Sequence, residues 1–384
     1  MKKRRIKKGP VAVVLFIIIV VLIGSLFMFK SVFMKNPDDS PIQLNKSESN
    51  KNYLTLVMVG DVLIHGSLYQ DAIVELGKYD FRYIFKDVEP LLNNYDLKFY
   101  NQESIIGGKE LGLSSYPRFN SPEEIGDAMV ELGFNLVSLA NNHTLDKGET
   151  GVVNSLNYWK QHDVMTAGSY LSEEHRVKNN IKVMNDISYT LLSYTAMTNG
   201  IPVPKGKEYL VNVYEEEKVK EDVKRVRDEV DLLIVSMHWG NEYSNTESDS
   251  QREKAEYLAS LGVDIIIGHH PHVIQPIEKI DDTLVFYSLG NFLSAQNTVD
   301  RLTGLIASLE IIVEKKDDET KLSFGTVNTD LVYTYYESFR NFRLIPFSML
   351  TTTELRNYKQ VYDKYYDIIK KYDDSIIVTE LGDR

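Results

Sequence analysis

The sequence predicts an α/β domain, a sheet covered by helices. Short apolar runs alternate with helical stretches over about 250 residues. Those runs are apolar almost throughout, as expected of strands buried on both faces. The composition, 43% apolar and 26% charged, is that of a globular chain with a sizeable core.

The amino terminus is a different material. "MKKRRIKK" carries six basic residues and precedes "VAVVLFIIIVVLIGSLFMF", Val11 to Phe29, nineteen residues without a charge. That length spans a bilayer core of about 30 Å. The apolar stretch exceeds a signal-peptide core, and "KSVFMKNPDDS" offers no small-residue cleavage site. The expectation is an uncleaved transmembrane helix at residues 11–31 behind a basic tail at residues 1–10. The basic residues predict a cytoplasmic amino terminus in a single-pass cell-membrane protein whose main domain is extracellular. Residues 32–52 are polar, contain two prolines and show no periodicity, so they read as a tether.

The folded part is expected at residues 53–300. Its strands are read from "YLTLVMVG", "DLKFYNQ", "FNLVSLANN", "ISYTLLSYT", "DLLIVSMHW", "DIIIGHH" and "LVFYSLGN". Between them, "SPEEIGDAMVELG" reads as a helix with a Ser121/Glu124 capping box, Pro122 at its first position and a stop at Gly133. "VYEEEKVKEDVKRVRDEV" reads as a charged surface helix, and "SQREKAEYLASLG" as a helix ending at Gly262. Residues 301–384 read as a carboxy-terminal extension of two alternating strands and a Tyr- and Lys-rich helix from about Thr352 to Tyr372.

There are no cysteines, so the domain relies on its core. Subtracting the six amino-terminal cations from the formal charge of -12 leaves about -18 beyond the apolar segment. Such a domain repels nucleic acid, which excludes non-specific DNA or RNA binding.

Residues able to bind metal recur at the downstream ends of the expected strands. They are Asp61, Asn101, Glu103, Asn142, His143, His238 and the cluster in "IIIGHHPHVIQP". In open α/β sheets ligands bind outside these strand ends, so the turns would share one crevice. Six of the eight histidines fall there: His65, His143, His238, His269, His270 and His272. Asp, Glu, Asn and imidazole without thiolate suit one or two divalent ions such as Mn, Fe or Zn, which polarise a phosphoryl or carbonyl oxygen and activate water. Pro271 disposes His270 toward extended angles, so His270 and His272 are expected to face the crevice together and His269 to face away. For His65, a packing role is expected.

In order, "VGDVLIHG", "NQES", "SLANNHTLDKG", "HWGNEY", "GHHPHVIQPIE" and "FYSLGNFL" resemble the CapA family of poly-γ-glutamate capsule synthesis proteins. The resemblance covers roughly Leu54 to Ser294. It implies the four-layer α/β/β/α sandwich of the calcineurin-like metallophosphoesterases and their two-metal site. By this resemblance Asp61, Asn142, His238, His270 and His272 are metal ligands, and His143 is the histidine that protonates a leaving group. The phosphoesterase histidine two residues after the aspartate is Leu63 here. The bridging aspartate is also missing, with Glu103 its nearest stand-in as a metal ligand.

The resemblance implies a membrane-anchored component of poly-γ-glutamate synthesis or export, with membrane-associated polymer ligase subunits as partners. A metal site would handle the anionic polymer, with Arg118 in "YPRFNS" and Asn291 in "FYSLGNFL" as substrate-binding residues. The alternatives are a cell-surface metal-dependent phosphoesterase or other hydrolase, and a scaffold with a vestigial site.

Overall fold

The computed structural model describes residues 50–316 and 319–382. The expected transmembrane segment, the basic tail and most of the tether lie outside them. Among the described residues no helix is long and apolar enough to cross a membrane. The described residues form one compact unit.

In chain order the strands are β1 (Asn50–Leu63), β2 (Ile73–Glu75), β3 (Lys78–Tyr79), β4 (Leu97–Gln102), β5 (Leu136–Ser138), β6 (Met165–Ala167), β7 (Lys182–Met184), β8 (Ile187–Thr195) and β9 (Leu232–His238). They continue with β10 (Ile265–His269), β11 (Ile277–Ile280), β12 (Thr283–Phe286), β13 (Asn291–Ser294), β14 (Thr303–Lys316), β15 (Glu319–Phe324), β16 (Asn328–Glu337), β17 (Arg340–Pro346) and β18 (Ile377–Val378). A ten-stranded sheet runs β17-β16-β14-β1-β4-β5-β6, with β13, β15 and β18 attached to β1, β14 and β16. A six-stranded sheet runs β11-β12-β10-β9-β8-β7. In each, the central strands that lead to the site are parallel: β1, β4, β5 and β6 in the first, and β8, β9, β10 and β12 in the second.

The side-chain period of two sorts each strand between two apolar layers. Leu54, Leu56 and Met58 of β1 join Leu232 and Ile234 of β9 and Ile265 and Ile267 of β10 in the layer between the sheets. Val57 and Val59 pack instead with Ile125, Met129, Val152 and Leu156 on the outer helices of the first sheet. Leu233, Val235, Met237 and Ile266 do the same with Val219, Val223, Ala255 and Leu258. The order is therefore helices, sheet, sheet, helices, and each fully buried aliphatic side chain contributes about 1.5–3 kcal/mol.

Three local expectations change. The helix after Ser121 spans Glu124–Glu131 without a side-chain cap, because the Ser121 hydroxyl is spent on Ser104 Oγ at 2.8 Å. A capping box closes instead on Ser248 and Gln251, at the start of the helix Asp249–Ser260. The region beyond residue 300 is no appendage: β14 pairs with β1 from Asn50↔Lys315 to Met58↔Ala307, completing the first sheet. The second of its two expected strands is two, β15 and β16, and β17 and β18 lie beyond the expectation. The final helix is Tyr358–Ile369, whose Tyr365 and Ile369 are buried in the inter-sheet layer.

Candidate metal centre

The strand parity that builds the inter-sheet layer also aims the polar residues at the carboxyl ends. Leu97 and Phe99 of β4 face that layer, so Asn101 does too; Leu232 and Ile234 of β9 place His238 there. β1 needs a correction of phase, since a register shift between Met58 and Asp61 turns Asp61 onto the same side. Gly60 permits it, because an added Cβ would lie 1.8 Å from the Gly290 carbonyl oxygen. The Asp61 N–H donates to that same oxygen at 3.0 Å.

Asp61 is buried and accepts from Asn101 Nδ2 at 2.7 Å and from the His270 N–H at 3.2 Å. Its carboxylate lies 3.5 Å from His269 Nδ1 and 3.6 Å from His272 Nδ1. Burial would raise its pKa, but the adjacent imidazoles of His272, His269 and His238 hold it well below the usual range.

Glu103 is fully buried, and neither of its oxygens has a hydrogen-bond partner among the described residues. Its Oε1 lies 3.6 Å from His272 Nε2 and 3.7 Å from His238 Nε2. Burial pushes its pKa well above the ordinary carboxylate range. Burial opposes a charged His272 as well, yet Glu103 and Asp61 hold that imidazole at about 9. Burial lowers His238 well below its ordinary value and His270 to about 4.

A buried carboxylate without a hydrogen-bond donor is costly unless a cation completes it. Three sets of donor atoms lie within 4.8 Å of one another: Glu103, His238 and His270; Asp61, Glu103 and His272; Glu242, His270 and His272. The donor set fits a divalent ion, with Glu103 common to the first two sets.

The predicted ligands Asp61, Glu103, His238, His270 and His272 thus come together. The reason given for the histidine pair does not hold, because His270 and His272 have φ of 96° and 58°, not extended values. His269 is no bystander either. It follows Ile265 and Ile267 in the inter-sheet parity of β10, is fully buried, and faces Asp61 with neither ring nitrogen hydrogen-bonded among the described residues. Asn142 stands beside these ligands, its Oδ1 paired with His238 Nε2 at 2.9 Å.

His143 Nδ1 pairs with Asp146 Oδ2 at 2.7 Å, and that oxygen also accepts the Phe119 N–H at 2.7 Å. Asp146 was missed in the sequence, although its three-residue spacing from His143 was a readable signal. Glu242 was missed too, inside the quoted "HWGNEY". Asn291 Oδ1 pairs with His272 Nδ1 at 2.9 Å, and its Nδ2 donates to Gln296 Oε1 at 3.1 Å and the Arg301 carbonyl at 2.8 Å. Its amide is spent on the protein, which gives Asn291 a role in positioning His272. Arg118 is exposed and pairs with no carboxylate among the described residues, and its carbonyl accepts from Ser114 Oγ. His65 packs edge-on against Phe119 at 5.2 Å, the packing role expected of it.

The family model described as "Bacterial capsule synthesis protein PGA_cap" matches residues 55–296, which contain the site residues from Asp61 to Asn291. The chain is 30% identical over 313 residues to the capsule biosynthesis protein CapA of Bacillus anthracis, covering 77% of this chain and 71% of that one. It is 30% identical over 253 residues to the PGA biosynthesis protein CapA of Bacillus subtilis strain 168, covering 63% of this chain and 64% of that one, just under two thirds. A more distant structural likeness is to a putative 5'-nucleotidase from Staphylococcus aureus, at TM-score 0.43 and 14% identity over 81% of this chain and 58% of that one. With a family model matched across well over half its length, the chain belongs to the bacterial capsule synthesis protein PGA_cap family.

Proposed function

We propose that the protein acts in capsule biosynthesis as a component that handles poly-γ-glutamate or a similar anionic polymer at a divalent-metal centre. The observation that carries this reading is Glu103, a buried carboxylate without a donor, ringed by His238, His270 and His272 in a chain of this family. The names of its relatives place them in capsule and PGA biosynthesis. The ion would be Mn, Fe or Zn, held by Asp61, Glu103, His238, His270 and His272 with Asn142 alongside. When bound it would supply Lewis acidity toward a carbonyl or phosphoryl oxygen.

The remaining roles belong to the chain itself. Asn291 and Asn101 orient His272 and Asp61, and Phe99 stacks on His269 at 5.4 Å. The reading includes a membrane anchor at residues 11–31, an extracellular domain and partnership with membrane-associated polymer ligase subunits.

A second reading, a cell-surface metal-dependent phosphoesterase or other hydrolase, is favoured by the His143–Asp146 pair. The carboxylate fixes the ring through Nδ1, leaving Nε2 to give a proton to a leaving group.

The test is complementation. Cells that depend on this gene for capsule polymer should lose surface poly-γ-glutamate when Asp61→Ala or His270→Ala replaces the wild type at equal protein level. Unchanged polymer in both would sink the metal-centre reading.

A further inference from the structure

We propose that Arg301 anchors a carboxylate of an anionic ligand chain running outward from the carboxylate–histidine cluster. The inference rests on the polymer-handling reading above and names a residue which that reading does not use.

Arg301 lies on the short helix Val299–Leu302, with its guanidinium carbon 3.4 Å from the centroid of the Tyr243 ring. Tyr243 in turn stacks on His272, centroids 6.2 Å apart at 29°, and is 42% exposed, so it stands at the mouth of the centre. A second connection is independent of the stack. The Arg301 carbonyl accepts from Asn291 Nδ2 at 2.8 Å, and the same amide holds His272 Nδ1 at 2.9 Å. Arg301 and His272 are therefore fixed to one residue from two sides.

The guanidinium is also left over. Arg176, Arg227, Arg252 and Arg343 each pair with a carboxylate in this acidic domain. Arg301 pairs with none among the described residues, and neither do Arg118, Arg340 and Arg356, but of these it alone stacks on a ring that stacks on His272. Its neighbour Asp300 is taken by Lys364 at 2.7 Å and Tyr365 at 3.0 Å. Stacking on a ring leaves the in-plane N–H edge of a guanidinium open, the edge that binds a carboxylate through two hydrogen bonds. The ordering of the long side chain is largely met before a ligand arrives.

Position selects the ligand. Arg301 lies one ring beyond His272, so the anion it meets is a second group of the ligand, not the one at the cluster. A γ-linked glutamate chain repeats a carboxylate at every residue and supplies that second group. Inorganic phosphate, a single anion, does not.

The experiment uses the metal-loaded full-length chain and two probes, a fluorescent γ-linked glutamate oligomer read by anisotropy and inorganic phosphate read by calorimetry. Arg301→Gln should weaken the oligomer about tenfold and flatten its salt dependence, with metal content and phosphate binding unchanged. Arg301→Lys keeps the charge but loses the fork, and should weaken the oligomer several-fold with metal retained. Oligomer binding equal to wild type in both variants overturns the assignment of Arg301 and leaves the polymer reading standing. A wild-type chain that holds metal and phosphate but no oligomer overturns the polymer reading and this assignment together.

Discussion

Oε1 of Glu103 lies 3.6 Å from Nε2 of His272, in a setting where both residues are buried and Glu103 has no hydrogen-bond donor among the described residues. A carboxylate so placed is desolvated without compensation, a cost of about 1–3 kcal/mol or more for a group with charge. Sites that bind cations carry such costs, because the ion supplies what the protein withholds.

Glu103→Gln follows from that balance. The metal-free variant should be more stable than metal-free wild type by about 1 kcal/mol in urea denaturation. It should also lose most of the rise in Tm that metal gives the wild type. Wild-type behaviour on both counts would show that Glu103 is structural.

Gly60→Ala tests the bulge that aims Asp61. The added Cβ would lie 1.8 Å from Gly290 O, backbone against backbone, so neither side can rotate away. The expected loss is about 3 kcal/mol of stability or failure to fold, measured by denaturant titration. Tolerance of alanine would mean that β1 and β13 separate easily at this point.

The metal-free chain should have a stability window in pH. His65 and His269 are both lowered by burial from 6.5 to about 4. Below pH 6.5 the unfolded chain therefore binds protons that the folded chain does not, and stability falls as pH drops toward 4. Each can contribute up to about 3 kcal/mol to that loss. His272, raised to about 9, acts oppositely: its contribution is complete below 6.5 and is lost as pH rises through 9. Urea midpoints should peak between these limits, and a profile flat from pH 4 to 7 would contradict the burial argument.

His143 and Asp146 should act as one unit. Asp146→Asn and His143→Ala should each reduce surface polymer about tenfold or more, and the double variant should lose little beyond either single one. Independent, multiplying losses would separate the two roles.

Much of the fold was legible because period-two patterns and uninterrupted apolar runs leave few alternatives. "DLLIVSMHW" and "DIIIGHH" became β9 and β10 as read. The histidine loop was harder. Pro271 suggests one set of side-chain directions, but the strand before it governs: Ile265, Ile267 and His269 share one face, so His269 meets Asp61. Which face would be interior depends on the second sheet, and no local pattern specifies that. Asp61 carries the same lesson, since only the register shift after Met58 turns it inward. Asn291 was visible as a polar residue after a strand, but its role needed the distance to His272. The pairing of β14 with β1 joins segments too distant in sequence for local signals to connect.

The most direct test is the metal content of the purified full-length chain after incubation with Mn, Fe(II) or Zn and exhaustive dialysis, measured by mass spectrometry of the elements. The account predicts about one to two divalent ions per wild-type chain and a small residual fraction in Glu103→Gln and Asp61→Ala. A wild-type chain that retains none of the three ions, or variants that retain as much as wild type, would contradict it.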